Sequence, residues 1–340
     1  MSDPVFVTGA SGFIARHVLL DLLRRGYRLR GSVRSLDRAE HVRASLSRHL
    51  GEEVGADRLD FRQLDLGSDA GWTQAMEGCG ALIHMASPVP LAQPEDAEEL
   101  IRPAREGTLR ALNAARSSGI RRVVLTSSVA AISGNATKAR EIHLDEGDWT
   151  DPATPGLTPY ARSKTIAERA AWEVAEAHPE LRLTTINPSF VFGPALDEDT
   201  GASLEVVERM MRGGDPAIPR VSFFVVDVRD VAALHVAALE DDRTVGQRII
   251  AGSGQMWLRD IVAVLQAAYP HRRFPRWPAP DWLVRLLALK DRPLRFIVPQ
   301  LGRKTLFDTG RGRALLGRDF IPPEDAVRAA AASLVEHGRI

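Results

Sequence analysis

Val5-Phe6-Val7-Thr8-Gly9-Ala10-Ser11-Gly12-Phe13-Ile14-Ala15 is the stretch that decides the fold. Residues 4–8 read as a buried strand, and residues 13–25 as a helix ended near Gly26. The two glycines therefore stand in a strand-to-helix turn. There, Gly9 permits the tight turn, and Gly12 lets backbone approach a pyrophosphate at the helix N-terminus. Ala15 occupies the place of a frequent third glycine and is small enough for close helix–strand packing. Elsewhere such a pair marks only a turn. In this context Thr8, Gly9, Ser11, Gly12, Phe13 and Ile14 are candidate dinucleotide contacts.

Working outward, strand and helix alternate. Strands are expected at 28–33, 59–64, 81–85, 122–126 and 183–187. Helices are expected at 36–50, 69–76, 95–118 and 160–177. That rhythm predicts an α/β fold: a Rossmann doubly wound parallel sheet with a smaller, mostly helical C-terminal substrate lobe. Residues 1–187 form the expected cofactor domain and 188–340 mainly the lobe. Short helices at 206–211 and 228–239 and strands at 223–226 and 247–251 suggest that the chain returns to the first domain near 223–251. From Trp257 onward helices are expected to dominate.

Bulk composition excludes several classes. Lys plus Arg equals Asp plus Glu, 44 of each, so no net field draws the chain to nucleic acid or anionic membrane. Cys79 is the only cysteine, which excludes an intrachain disulfide and a Cys-rich zinc site. No uncharged apolar run reaches the roughly 18 residues of a transmembrane helix. The first strand begins by Pro4, which leaves no room for a signal peptide. A cytoplasmic protein without a metal is expected, and the oligomeric state, monomer or homodimer, stays open.

The second strand's end speaks to cofactor choice. An NAD enzyme usually carries an acidic residue about 20 positions past the glycines. Here Arg34 follows the strand and Arg38 lies one turn further on, and guanidinium groups pair well with a 2′-phosphate. Asp37 could instead reach a ribose, and all three could be a solvated helix start. The expectation is NADP(H). Asp65-Leu66, after the third strand, can meet the adenine edge or simply begin a loop. His84-Met85-Ala86-Ser87-Pro88 ends the fourth strand, where Met85, Ala86 and Ser87 can lie beside the cofactor and His84 reads as a packed strand residue.

Tyr160 and Lys164 stand four apart at a helix start, on one face. An ammonium beside a phenol favours the phenolate, so the expectation is a tyrosine pKa below its usual value of about 10. Such a tyrosine can exchange a proton near neutral pH. The fifth strand ends in Thr126-Ser127-Ser128, and a serine at such an end points into the ligand crevice and can hold a developing oxyanion. Spacing leaves Ser127 and Ser128 both open.

The chain resembles an extended short-chain dehydrogenase/reductase. Within that superfamily it is similar to the NADPH-dependent dihydroflavonol reductase and cinnamoyl-CoA reductase group and to the fungal methylglyoxal and aldehyde reductases. The glycine turn, Ser32-Val33-Arg34-Ser35, His84 to Val89, Pro103 to Thr108, Leu125 to Ala131 and Asp145-Glu146-Gly147-Asp148-Trp149 carry the resemblance. So do Tyr160 to Lys164, Asn187 to Pro194 and Val226 to Ala232, all in the family's order. The resemblance implies a triad of Ser128, Tyr160 and Lys164. It implies that Arg34 and Arg38 hold the 2′-phosphate, and that Asp65, Leu66, Pro188 and Ser203 are further cofactor contacts. One departure is Ala104, where single-domain relatives carry an asparagine supporting a relay water.

Hydride transfer from NADPH to an aldehyde or ketone is the implied reaction, with a small aldehyde, ketone or dihydroflavonol-like compound as substrate. Val89, Val129, Phe190, Phe223 and Phe224 are candidates to line an apolar cleft. Alternatives on the same scaffold are a sugar-nucleotide epimerase or dehydratase and a hydroxysteroid-type dehydrogenase. A non-catalytic dinucleotide sensor would have no use for an activated phenol.

Overall fold

Val5, Phe6 and Val7 alternate across a sheet: Val5 and Val7 enter one buried cluster and Phe6 another. In the computed structural model, which describes residues 3–88, 96–135, 139–289 and 297–340, that strand is the centre of the fold. It is β1 (Val5–Val7), followed by α1 (Phe13–Arg24), β2 (Leu29–Val33), α2 (Asp37–Leu50), β3 (Leu59–Gln63), α3 (Trp72–Met76) and β4 (Ala81–His84). Next come α4 (Glu98–Ser117), β5 (Arg122–Thr126), α5 (Ala130–Ser133), β6 (Glu141–Leu144), α6 (Pro159–Ala177) and β7 (Arg182–Pro188). The chain continues with β8 (Phe190–Phe192), α7 (Leu204–Arg212), β9 (Ala217–Ile218), β10 (Ser222–Asp227), α8 (Val228–Glu240), β11 (Arg248–Ala251) and β12 (Gly254–Trp257). The described residues end with α9 (Leu258–Ala268), β13 (Trp277–Pro278), α10 (Asp281–Leu287), β14 (Lys304–Phe307), α11 (Gly310–Leu316) and α12 (Pro323–Glu336).

Seven strands form one parallel sheet in the order β11-β7-β5-β4-β1-β2-β3. This is the Rossmann order with a seventh strand at the β7 edge. One face packs on α1, α2 and α8 through Val18, Leu19, Val42 and Leu234; the other packs on α3, α4 and α6 through Met76, Leu112 and Ala171. Both faces are covered, so the strands carry near-continuous apolar runs.

Beside the sheet stands a smaller lobe. Its core joins Phe192, Val207, Met211, Val225, Ile261, Leu265, Val327 and Leu334, from β8, α7, β10, α9 and α12. β8, β10 and β12 make a separate three-stranded sheet, with β8 parallel and β12 antiparallel to β10. β11 meanwhile pairs with β7 in the main sheet. The lobe is less helical than expected: β8, β12 and β14 are strands that the sequence did not announce. β14 pairs in parallel with β6, 163 residues earlier by first residue.

Candidate active site

The β1–α1 turn is shaped for a dinucleotide. Gly9 has φ +66°, and a Cβ there would sit 3.0 Å from the Cα of Ala86, so only glycine lets the turn pass the end of β4. Gly12 precedes α1 with no side-chain cap, which leaves the first-turn N–H groups directed outward for an anion. Thr8 is buried, and its Oγ1 accepts from the N–H of Met85 (2.9 Å) and Ala86 (3.0 Å). Its proton therefore goes to His84 Nδ1, 2.8 Å away. Burial, with Lys164 adding to it, holds His84 neutral, its pKa pulled down to about 3. Ser32 Oγ accepts from the Gly9 N–H at 3.3 Å. The residues present therefore fit a dinucleotide pyrophosphate.

Arg34 and Arg38 are exposed beyond β2, and Arg38 lies 3.6 Å from Asp199. Asp199 also takes Arg16 at 3.0 Å. Asp37 is exposed and accepts from Ser35 Oγ at 3.3 Å, so it belongs to a solvated helix start. Asp65 Oδ1 accepts from the Gly67 N–H at 2.7 Å, turning back on its own loop, while Leu66 packs against Gly107 of α4. Ser203 donates to the Val191 carbonyl at the start of α7. Met85, Ala86 and Ser87 are half-buried at the end of β4, next to the glycine turn.

The triad assembles where β5 and α6 meet. Thr158 caps α6, its side chain accepting from the Ala161 N–H at 3.1 Å; Pro159 follows, and Tyr160 comes next. Ser128 follows β5, its Oγ accepts from the Ala130 N–H at 3.1 Å, and its hydroxyl hydrogen-bonds the Tyr160 phenol. Lys164 is buried, with Nζ 5.9 Å from the centre of the Tyr160 ring.

One expectation is corrected. Tyr160 does not lie below its ordinary pKa: burial pushes the phenol up, and the Ser128 hydrogen bond is what pulls it back. The lysine responds instead, its ammonium drawn down to about 8 by loss of water and held up by Glu168. For the phenol, desolvation outweighs the Lys164 ammonium, whose Nζ lies 5.9 Å from the ring centre.

Of the expected substrate residues, Val129 is half-buried beside Ser128, and its N–H donates to the Pro188 carbonyl at 3.0 Å. Phe190 meets Phe192 edge-on and packs against the tilted ring of Phe223 at the lobe's edge. Phe224 meets Phe307 of β14 at 5.2 Å. Val89 lies outside the described residues.

Sequence reasoning missed a buried network beneath the triad, centred on Glu168. Ser127, the serine next to the triad member, donates to Glu168 Oε2 at 2.5 Å. Arg248 of β11 donates Nε to Oε1 at 2.7 Å. The one available signal was Glu168 itself, four residues beyond Lys164 on the same helical face.

The model of the NAD dependent epimerase/dehydratase family matches residues 5–252. The chain belongs to that family. It is 32% identical to cinnamoyl-CoA reductase 1 of Petunia hybrida, over 99% of this chain and 93% of that protein. It is 35% identical to tetraketide alpha-pyrone reductase 1 of Arabidopsis thaliana, over 80% and 83%. Yeast methylglyoxal/isovaleraldehyde reductase Gre2, solved in complex with NADPH, superposes with a TM-score of 0.79 at 28% identity, covering 99% of this chain and 100% of that one. This family member thus shares its fold with an NADPH-bound reductase along its whole length.

Proposed function

We propose that this chain is an NADPH-dependent carbonyl reductase acting on an aldehyde or ketone. The observation that carries the reading is the Ser128–Tyr160 hydrogen bond with Lys164 buried one turn on, beside the glycine turn. Relatives at 30% identity and above named as reductases support it. So does the NADPH complex of the superposed yeast enzyme.

A dihydronicotinamide bound there would supply the hydride that the carbonyl carbon accepts. Ser128 donates to the carbonyl oxygen as negative charge develops there. Tyr160 gives its proton to that oxygen, and Lys164 offsets the charge left on the phenol while reaching the ribose. Thr8 to Ile14 and Met85 to Ser87 would hold the pyrophosphate and flank the ring, with Asp65, Leu66, Pro188 and Ser203 as outer contacts. Arg34 and Arg38 would take the 2′-phosphate. Residues 1–187 serve as the cofactor domain and 188–340 mainly as the substrate lobe. Val129 and Phe190 line the substrate cleft, and half-buried aromatic edges there favour a small or aromatic carbonyl compound over a sugar nucleotide.

A cytoplasmic location goes with this reading. No helix among the described residues is long and apolar enough to cross a membrane.

The test is NADPH oxidation with a panel of aldehydes and ketones. Tyr160→Phe should lower kcat by about 10²–10⁴-fold with the NADPH dissociation constant nearly unchanged. A variant with a kcat near wild type would overturn the assignment of Tyr160.

A further inference from the structure

Glu168 is the most completely enclosed charge near the triad, its side chain 0% exposed. Its carboxylate accepts from Ser127 Oγ (2.5 Å), Asn187 Nδ2 (2.8 Å), Thr185 Oγ1 (3.2 Å) and Trp172 Nε1 (3.4 Å). Arg248 completes the set, with Nε 2.7 Å from Oε1 and Nη2 3.4 Å from Oε2. Arg248 is itself pinned: Nη1 donates to the carbonyls of Glu146 (2.8 Å) and Asp148 (2.6 Å), and the guanidinium lies 3.7 Å from the Trp149 ring centre. Three elements, α6, β7 and β11, and the turn after β5 thus converge on one buried carboxylate, and the loop at residues 146–149 braces its arginine.

That arrangement is expensive if it only packs, because a buried ion pair gains little over an apolar replacement. Two links join it to the chemistry. Through Ser127 Oγ and through Asn187 Nδ2, which also donates to the Ser128 carbonyl at 3.3 Å, it fixes the corner that carries Ser128. The Ser127 N–H to the Ile186 carbonyl (2.8 Å) and the Val129 N–H to the Pro188 carbonyl (3.0 Å) close the same corner on β7. The second link is electrostatic: Lys164 stands one turn before Glu168 on the same helix face.

We propose that Glu168 is a positioning residue for the reduction: one carboxylate both holds the Ser127–Ser128 corner and supplies the negative charge that faces Lys164. The charged and titratable groups around Lys164 are Tyr160 and Glu168 on its own helix, His84 from β4 and, beyond Glu168, Arg248 from β11. His84 is held neutral and Tyr160 is held protonated. Glu168 is therefore the group that opposes the desolvation of Lys164, whose pKa stands at about 8. Arg248, 2.7 Å from Oε1, offsets part of the negative charge that Glu168 presents to Lys164.

The inference rests on the reading that Tyr160 and Lys164 perform the proton chemistry. The experiment is the pH profile of kcat, with NADPH dissociation constants measured by fluorescence over the same pH range as a readout without turnover. Lys164 is charged below its pKa and neutral above it, so activity that needs the ammonium fades on the alkaline side. Glu168→Gln should move that alkaline limb down by about one pH unit, with the fall in NADPH affinity moving alongside. Arg248→Met should move both up, because the guanidinium then no longer offsets the charge that Glu168 presents to Lys164. Ser127→Ala should lower kcat several-fold with the limb unmoved. If Glu168→Gln does not fold, the upward shift of Arg248→Met carries the test, and the reverse holds. A merely structural role would lower kcat in each variant with both limbs unmoved, and that result would overturn the inference. An active Tyr160→Phe would instead sink the underlying assignment.

Discussion

Tyr160 is an acid kept in its acidic form. Burial pushes its phenol above the ordinary range, so at neutral pH it keeps the proton that the proposed reduction would use. That suits reduction better than the lowered pKa expected from the sequence, since a phenolate has no proton to deliver. Lys164 bears the cost of burial instead and becomes the group near its own titration point. In the proposed reading, cofactor choice also rests on single residues. A charge-assisted hydrogen bond is worth about 1.5–3 kcal/mol, and about 1.4 kcal/mol is tenfold. Arg34 and Arg38 should together give about a ten- to thousandfold preference for NADPH over NADH, reduced by salt. Asp199, 3.6 Å from Arg38, would compete with the phosphate and pull toward the lower end. Measuring kcat/KM with each cofactor should show that preference in wild type and its loss in Arg34→Ala/Arg38→Ala. Equal use of the two cofactors by wild type would refute the role.

The turn between β1 and α1 works as a unit. Gly9 must hold φ +66° and pass 3.0 Å from the Ala86 backbone, while Thr8 Oγ1 ties the N–H groups of Met85 and Ala86. A β-carbon at Gly9 meets both constraints at once. Gly9→Ala should cost about 1–3 kcal/mol of stability from the backbone alone. It should also weaken NADPH binding at least tenfold, because the displaced turn misaims the α1 N–H groups. Denaturant melts and a fluorescence titration would read the two effects separately. Wild-type affinity in Gly9→Ala would show that the turn is not where the pyrophosphate sits. α6 shows the same economy at its own start: the Thr158 cap and Pro159 set where the helix begins, and with it the direction of Tyr160.

Across the molecule, three buried histidines make the fold sensitive to acid. Burial draws His17 and His235 to about 4 and His84 to about 3, against about 6.5 in an unfolded chain. Each stays neutral in the fold and charges when unfolded, so its stabilisation is complete above pH 6.5 and is lost as pH falls toward 4. At pH 5.5 the loss is about 1.4 kcal/mol per histidine, about 4 kcal/mol for three. Glu146 and Asp230, whose carboxyls burial pushes up, work in the opposite sense and trim that figure. Melting temperatures measured from pH 7.5 to 5 should fall steadily; a flat profile would show that the imidazoles titrate without cost. The alternation of strand and helix through β7, the glycine turn, and Tyr160 with Lys164 were legible because each is encoded by neighbours within a few residues: periodicity, a turn that only glycine makes, a pair four apart. The Glu168–Arg248 pair, 80 residues apart, and the β6–β14 pairing were not. Neither β14 nor β8 has an apolar rhythm of its own long enough to announce a strand, and a buried carboxylate looks like any surface glutamate until its partners are known. Local order came from the sequence by itself, through backbone sterics and hydrophobic period. Which distant groups share one buried site was decided only when the sheet brought the ends of β5, β7 and β11 together.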